Sequence, residues 1–185
     1  MSTALGHVWQ IGKLTFLEAV RQRFFNFLVL LSVALIGSAI FFRQFDFGAS
    51  ELKFISDFGM GGIFLFGSIL AVVATAQLFF SEIENRTALT ILAKPVRRWS
   101  FIAGKFLGVS LLLLVFVGLV VSLLAALLWW RQGQFVRAMQ QHGDVFPADL
   151  RVQFWGLAVY AILQWLKFSV LSAITIVVAS FSNTN

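Results

Sequence analysis

The chain has 185 residues, of which 59% are hydrophobic and only 12% charged, and its mean hydropathy is +0.90. A soluble fold of this length could not cover so much apolar surface, so lipid is the solvent for most of it. The absence of cysteine excludes a disulfide framework and thiolate chemistry. The net charge of +6 sits beside apolar runs, where it orients membrane spans rather than gripping nucleic acid.

In chain order, residues 7–23 mix Trp9, Leu14, Phe16 and Leu17 with Lys13, Glu18 and Arg21. That mixture predicts a helix lying in the membrane interface and feeding the first span, the alternative being a frayed extension of that span. Four apolar runs follow: Phe24–Phe42, Phe58–Phe80, Phe106–Trp130 and Phe154–Phe181. The first is longer than the apolar region of a cleavable signal. Backbone groups in lipid must be satisfied within the segment, so each run reads as a helix of about 20 residues or more.

The fourth run is unusual because Gln164, Trp165 and Lys167 lie near its middle. A lysine at the bilayer centre costs about 2.5–3.5 kcal/mol. Either Lys167 faces a partner helix or a wet cavity, or Trp165 and Lys167 mark the outer interface. The second reading places the span at about 158–182, with the crossing itself running only from about Leu166 to Ser182.

Orientation follows from the basic residues. Eight lie in the segments placed inside (Lys13, Arg21, Arg23, Arg86, Lys94, Arg97, Arg98, Lys105) and five in those placed outside (Arg43, Lys53, Arg131, Arg137, Arg151). The outer basic residues are balanced by Asp46, Glu51, Asp57, Asp144 and Asp149. Both termini are therefore expected in the cytoplasm, with residues 131–153 as the largest outer loop. The expected architecture is an all-α integral membrane protein with four transmembrane helices, an N-terminal interfacial helix and a cytoplasmic helix between spans two and three. Residues 1–185 form a single transmembrane domain.

The chemistry absent from the chain is equally informative. No G-x-x-x-x-G-K-[ST] phosphate loop occurs, so the chain is not expected to hydrolyse a nucleotide by that route. Its two histidines, His7 and His142, lie outside the apolar runs. His142 with Asp144 and Asp149 reads as a solvated loop, so no catalytic, cofactor or metal site is expected. A membrane-embedded hydrolase or lipid transferase would need polar catalytic groups at depth, and Lys167 alone is available. Small residues at four-residue spacing (Gly67, Ala71, Thr75; Gly104, Gly108) favour close helix packing within the chain over a dimer face.

Between the second and third runs lies a charged and patterned linker, residues 81–105. Ser81 and Glu84 offer a capping box, unless the second span simply continues through them. Leu89 and Leu92 supply a short apolar face, Pro95 disfavours helix at Lys94, and Arg97, Arg98 and Lys105 return the chain to the membrane surface.

The order Glu84-Asn85-Arg86-Thr87, Leu92, Lys94-Pro95-Val96-Arg97-Arg98 and Gly104-Lys105-x-x-Gly108 resembles the first inner loop of type-2 ABC transporter permeases. It is most similar to the branch linked to multicopper-enzyme maturation. The resemblance is strongest over the first 110 residues or so and elsewhere rests on topology.

It implies a permease in a bacterial inner membrane, not itself an enzyme, that works in an exporter with a separate ABC ATPase subunit and a second permease subunit. The inner loop would carry a coupling helix at about Glu82–Ala93. Glu82, Glu84, Arg86 and Thr87 would contact the ATPase, while Pro95, Arg97, Arg98 and Lys105 anchor the loop. Such permeases usually have six spans, so four imply a piece lacking the last two. A structural membrane subunit without transport activity is the alternative.

Overall fold

The computed structural model describes residues 2–39, 51–84, 98–142 and 152–182. Among the described residues there are five helices: α1 (Ser2–Arg21), α2 (Arg23–Ser38), α3 (Glu51–Glu84), α4 (Arg98–His142) and α5 (Phe154–Ser182). The described residues contain no strand. Three stretches are each long and apolar enough to cross a membrane: Leu52–Leu78, Phe101–Arg137 and Phe154–Ala179. α1 and α2 pass the same test only as a pair bent by 62°, which brings the possible crossings to four.

The bend falls within Arg21-Gln22-Arg23, where Gln22 leaves the helical region with φ −66° and ψ 134°. The break is local, since the Gln22 N–H still bonds the Ala19 carbonyl at 3.2 Å and the Gln22 carbonyl accepts from Asn26 at 3.5 Å. α2 is shorter than the run that predicts it. Its 16 residues rise about 24 Å, less than the hydrocarbon thickness of about 30 Å.

The other helices outrun their apolar cores. α3 begins at Glu51 and continues unbroken to Glu84, so Ser81 and Glu84 do not cap a new helix. α4 begins at Arg98 and carries on through the glutamine-rich stretch to His142, so much of the anticipated loop is helical. α5 is a single helix from Phe154. Charged flanks do not end a helix when its backbone bonds can continue into water, and hydropathy alone marks only the apolar middle.

α4 is the hub. Val109, Leu112, Leu113, Phe116, Val117, Val120, Leu124 and Leu128 recur every three or four residues along it and are buried. They meet Ile55, Ile63, Leu70 and Leu78 of α3, Leu28 and Ile36 of α2, and Leu157 and Phe168 of α5 in one core. Lipid tails are as apolar as these side chains, so burial from water gives little drive between the helices. Close van der Waals fit and internal hydrogen bonds take over that role.

Glycines make this fit possible. Phe168 seats its ring where a Cβ on Gly67 would stand, and Gly59 receives Leu124 in the same way. Outside the core, Phe27, Leu30, Phe64, Leu65, Leu119, Leu123, Val170 and Ile174 are exposed and face the hydrocarbon. Trp129, Trp130 and Trp155 are exposed at one end of the bundle, as an aromatic belt requires.

Trp165 and Lys167 stand about three turns further along α5 than Trp155. Phe168, one residue on, packs on Gly67, near the middle of the α3 crossing. The Trp165 indole donates to the Ser110 carbonyl of α4 at 3.0 Å. Lys167 is exposed on the outer face of α5.

Gly67→Leu should destabilise the bundle by about 1–3 kcal/mol through overpacking. Gly118→Leu, whose added Cβ meets nothing within 4 Å, should leave stability unchanged. Thermal unfolding in detergent, followed by helical circular dichroism, measures both; equal midpoints would refute the Phe168–Gly67 packing.

Candidate functional site at the helix feet

The sequence-marked linker separates the lower ends of α3 and α4. Glu82 and Glu84 belong to the last turn of α3, and Arg98 is the first residue of α4. Arg86, Thr87, Leu89, Leu92, Pro95 and Arg97 lie outside the described residues. Of the anchoring set, Lys105 is the side chain whose surroundings are described.

Lys105 is buried, 2% exposed, where a hydrophobic side chain would be expected. Its ammonium donates to the Leu78 carbonyl oxygen of α3 at 2.7 Å and stands 5.0 Å from the centre of the Phe101 ring. A buried cation is tolerated when its donors are satisfied and an aromatic face is near. The Leu78 carbonyl retains a second lone pair for its own helix bond. Because it lies toward the C-terminal, negative end of α3, the ammonium also complements the helix dipole there. One side chain thus ties together the two helices from which the linker hangs.

α1 is held to the same foot. Gly104 and Gly108, one turn apart on α4, leave room for α1 to lie directly on the backbone. A Cβ at Gly108 would stand 2.8 Å from the Gly12 carbonyl, and one at Gly104 would stand 2.8 Å from Ile11 Cβ. Thr15 and Ala19 are buried on this side, while Trp9, Leu14 and Leu17 remain exposed with Lys13 and Arg21 on the far side. The Gly104–Gly108 stripe is therefore used within the chain, as the sequence reading favoured.

A second polar cluster lies between α3, α4 and α5. The single tyrosine, Tyr160, donates to the Met60 carbonyl at 2.7 Å and accepts from Gln164 Nε2 at 2.7 Å. Ser110 Oγ and Ser169 Oγ are 3.2 Å apart, and Ser169 also donates to the Trp165 carbonyl at 2.8 Å. Ser110 is therefore the donor to Ser169, and with the Trp165 bond it stitches α4 to α5. Sequence reasoning marked Gln164 as an oddity but missed Tyr160, Ser110 and Ser169. A lone tyrosine one turn before a glutamine in an apolar run was the available signal. Gln164 Oε1 is buried without a hydrogen-bond partner among the described residues.

These arrangements carry hydrogen bonds and packing between helices. Among the described residues, no group of three or more His, Cys, Asp or Glu could hold a metal ion. Replacing Lys105 with Met keeps length and removes the donor. Bonds to charged groups contribute about 1.5–3 kcal/mol, so Lys105→Met should lower unfolding stability by that order. An unchanged midpoint in the same detergent assay would show that the bond to Leu78 contributes nothing.

Comparison with the curated proteins and with the solved structures gives no match. The family model described as ABC-2 family transporter protein matches residues 3–185, nearly the whole chain. The all-helical fold, its long apolar helices and that match agree: this multi-pass membrane protein belongs to the ABC-2 transporter family.

Proposed function

We propose that the chain is the membrane-spanning permease subunit of an ATP-driven exporter of the branch linked to multicopper-enzyme maturation. ATP hydrolysis takes place in a separate ABC ATPase subunit, and a second permease subunit completes the pathway. The observation that carries this reading is the Lys105–Leu78 bond. It joins the two helices bordering residues 85–97, the segment that would dock on the ATPase. A push on that segment is then delivered to α3 and α4 together, and through Gly104 and Gly108 to α1. A solvated linker would need no such buried tie between its ends.

On this reading, Glu82, Glu84, Arg86 and Thr87 contact the ATPase, with Leu89 and Leu92 forming the apolar side of the coupling helix. Pro95, Arg97 and Arg98 set its return angle at the membrane surface. α1 lies in the cytoplasmic interface, with Trp9, Leu14 and Leu17 in the acyl boundary and Lys13 and Arg21 reaching the headgroups. Both termini are cytoplasmic, in a bacterial inner membrane. These 185 residues contain no cysteine, so a single cysteine introduced among them reports topology without background from the rest. Gln140→Cys should react with an impermeant thiol reagent in intact cells, whereas Asn85→Cys should react only after permeabilisation. The reverse pattern would overturn the orientation.

Arg86→Glu tests the coupling surface. Surface changes usually alter stability by less than about 0.5 kcal/mol, whereas a lost or reversed charge contact at an interface costs several times that. The variant should insert and accumulate normally but lose co-purification with the ATPase or its transport-linked hydrolysis. Retention of both would leave residues 85–97 without a coupling role. If the wild-type chain captured no ATPase when expressed with its neighbouring genes, the permease reading itself would fall.

A further inference from the structure

At the end of α3 remote from Lys105, a cavity of about 490 Å³ opens between α2 and α3. We propose that it is a binding site for one phospholipid with a zwitterionic, primary-amine headgroup, of the phosphatidylethanolamine type. Its rim carries Lys53 and Asp57, opposite charges one helical turn apart and both exposed. Below the rim the wall is apolar. Phe54 and Phe58 stack with centroids 5.7 Å apart, and Leu35 of α2 and Leu65 complete the sides.

Two adjacent glycines shape the interior differently. Gly62 is filled by Leu35, whose Cδ2 would lie 2.6 Å from an added Cβ, and this closes the groove at its back. Gly61, also in the lining, has nothing within 4 Å of an added Cβ. That open space belongs to the groove and not to packing between α2 and α3.

The position and charge pattern select the occupant. Leu52 begins the apolar crossing of α3, so Lys53 and Asp57 stand at headgroup level and the apolar wall runs down into the acyl region. Residues four apart on a helix have Cβ atoms about 5–6 Å apart. An ethanolamine headgroup places phosphate and ammonium on either side of a two-carbon link, which suits Lys53 and Asp57 respectively. A primary ammonium offers three donors to the carboxylate, whereas a glycerol headgroup offers no cation and leaves Asp57 facing an anionic lipid. The volume falls within the roughly 300–1,000 Å³ of ordinary ligand pockets, enough for a headgroup base and upper acyl chain.

Native mass spectrometry of the full chain, released from mixed micelles containing equal dioleoyl phosphatidylethanolamine and dioleoyl phosphatidylglycerol, tests the site. The wild type should retain one ethanolamine lipid in about tenfold preference. Asp57→Lys should reverse the preference toward phosphatidylglycerol. Gly61→Leu should abolish the adduct while keeping helix content, because its Cβ enters space that no atom of the described residues approaches within 4 Å. Equal retention of the two lipids by the wild type would overturn the proposal, as would an unchanged preference in Asp57→Lys. A lipid-free dimer dissociated by Gly61→Leu would assign the groove to a second copy instead. If Gly61→Leu fails to fold, the charge reversal at Asp57 decides alone.

Discussion

Everything in this bundle depends on how closely backbones can approach α4 in a solvent that offers no hydrophobic reward for helix contact. In water, burying the leucines of α4 would by itself hold the helices together. In lipid the same leucines are equally comfortable facing acyl chains. Cohesion must come from short-range dispersion and from polar groups with nowhere else to bond. Gly12 against Gly104 and Gly108, and Phe168 on Gly67, supply the first. Lys105, Tyr160, Trp165 and Ser110 supply the second.

The polar bonds differ in what they fix. Tyr160 and Gln164 join α5 to α3, and Trp165 with Ser169 joins α5 to α4, so α5 is held at two azimuths and cannot roll freely about its axis. Lys105 joins α3 to α4 near their feet. The three tall helices are thus cross-linked in pairs. α2 meets α3 mainly through apolar contacts such as Leu35 on Gly62. Where polar bonds are sparse, the boundary between helices opens into the groove beside Lys53 and Asp57.

The all-helical membrane fold and the apolar middles of α3, α4 and α5 were legible in the sequence, because lipid imposes one secondary structure on any long apolar run. Helix ends were not. Nothing in the hydropathy of Arg131–His142 or Ser81–Glu84 says whether a helix stops when it reaches water, and both stretches stay helical. Lys105 was marked as a membrane-surface anchor, yet its side chain turns into the protein to reach α3. That choice depends on a carbonyl 27 residues away and leaves no local trace. The acceptor that Trp165 finds on α4 leaves as little trace in the hydropathy. The contacts proposed for Arg86 and Thr87 still rest on the linker's residue order alone.

The length of α4 has a mechanical meaning. Its 45 residues make one rod of about 67 Å at 1.5 Å per residue, more than twice the hydrocarbon thickness of about 30 Å. Its foot is gripped by α1 and by Lys105, close to the linker. α4 is also packed against α2, α3 and α5 as far as Leu128, so a tilt at the foot moves these helices with it, and over the length of the rod about 5° carries the His142 end sideways by about 6 Å. A displacement too small to break any helix bond near the linker therefore becomes, on the opposite side of the membrane, a shift wider than a water molecule.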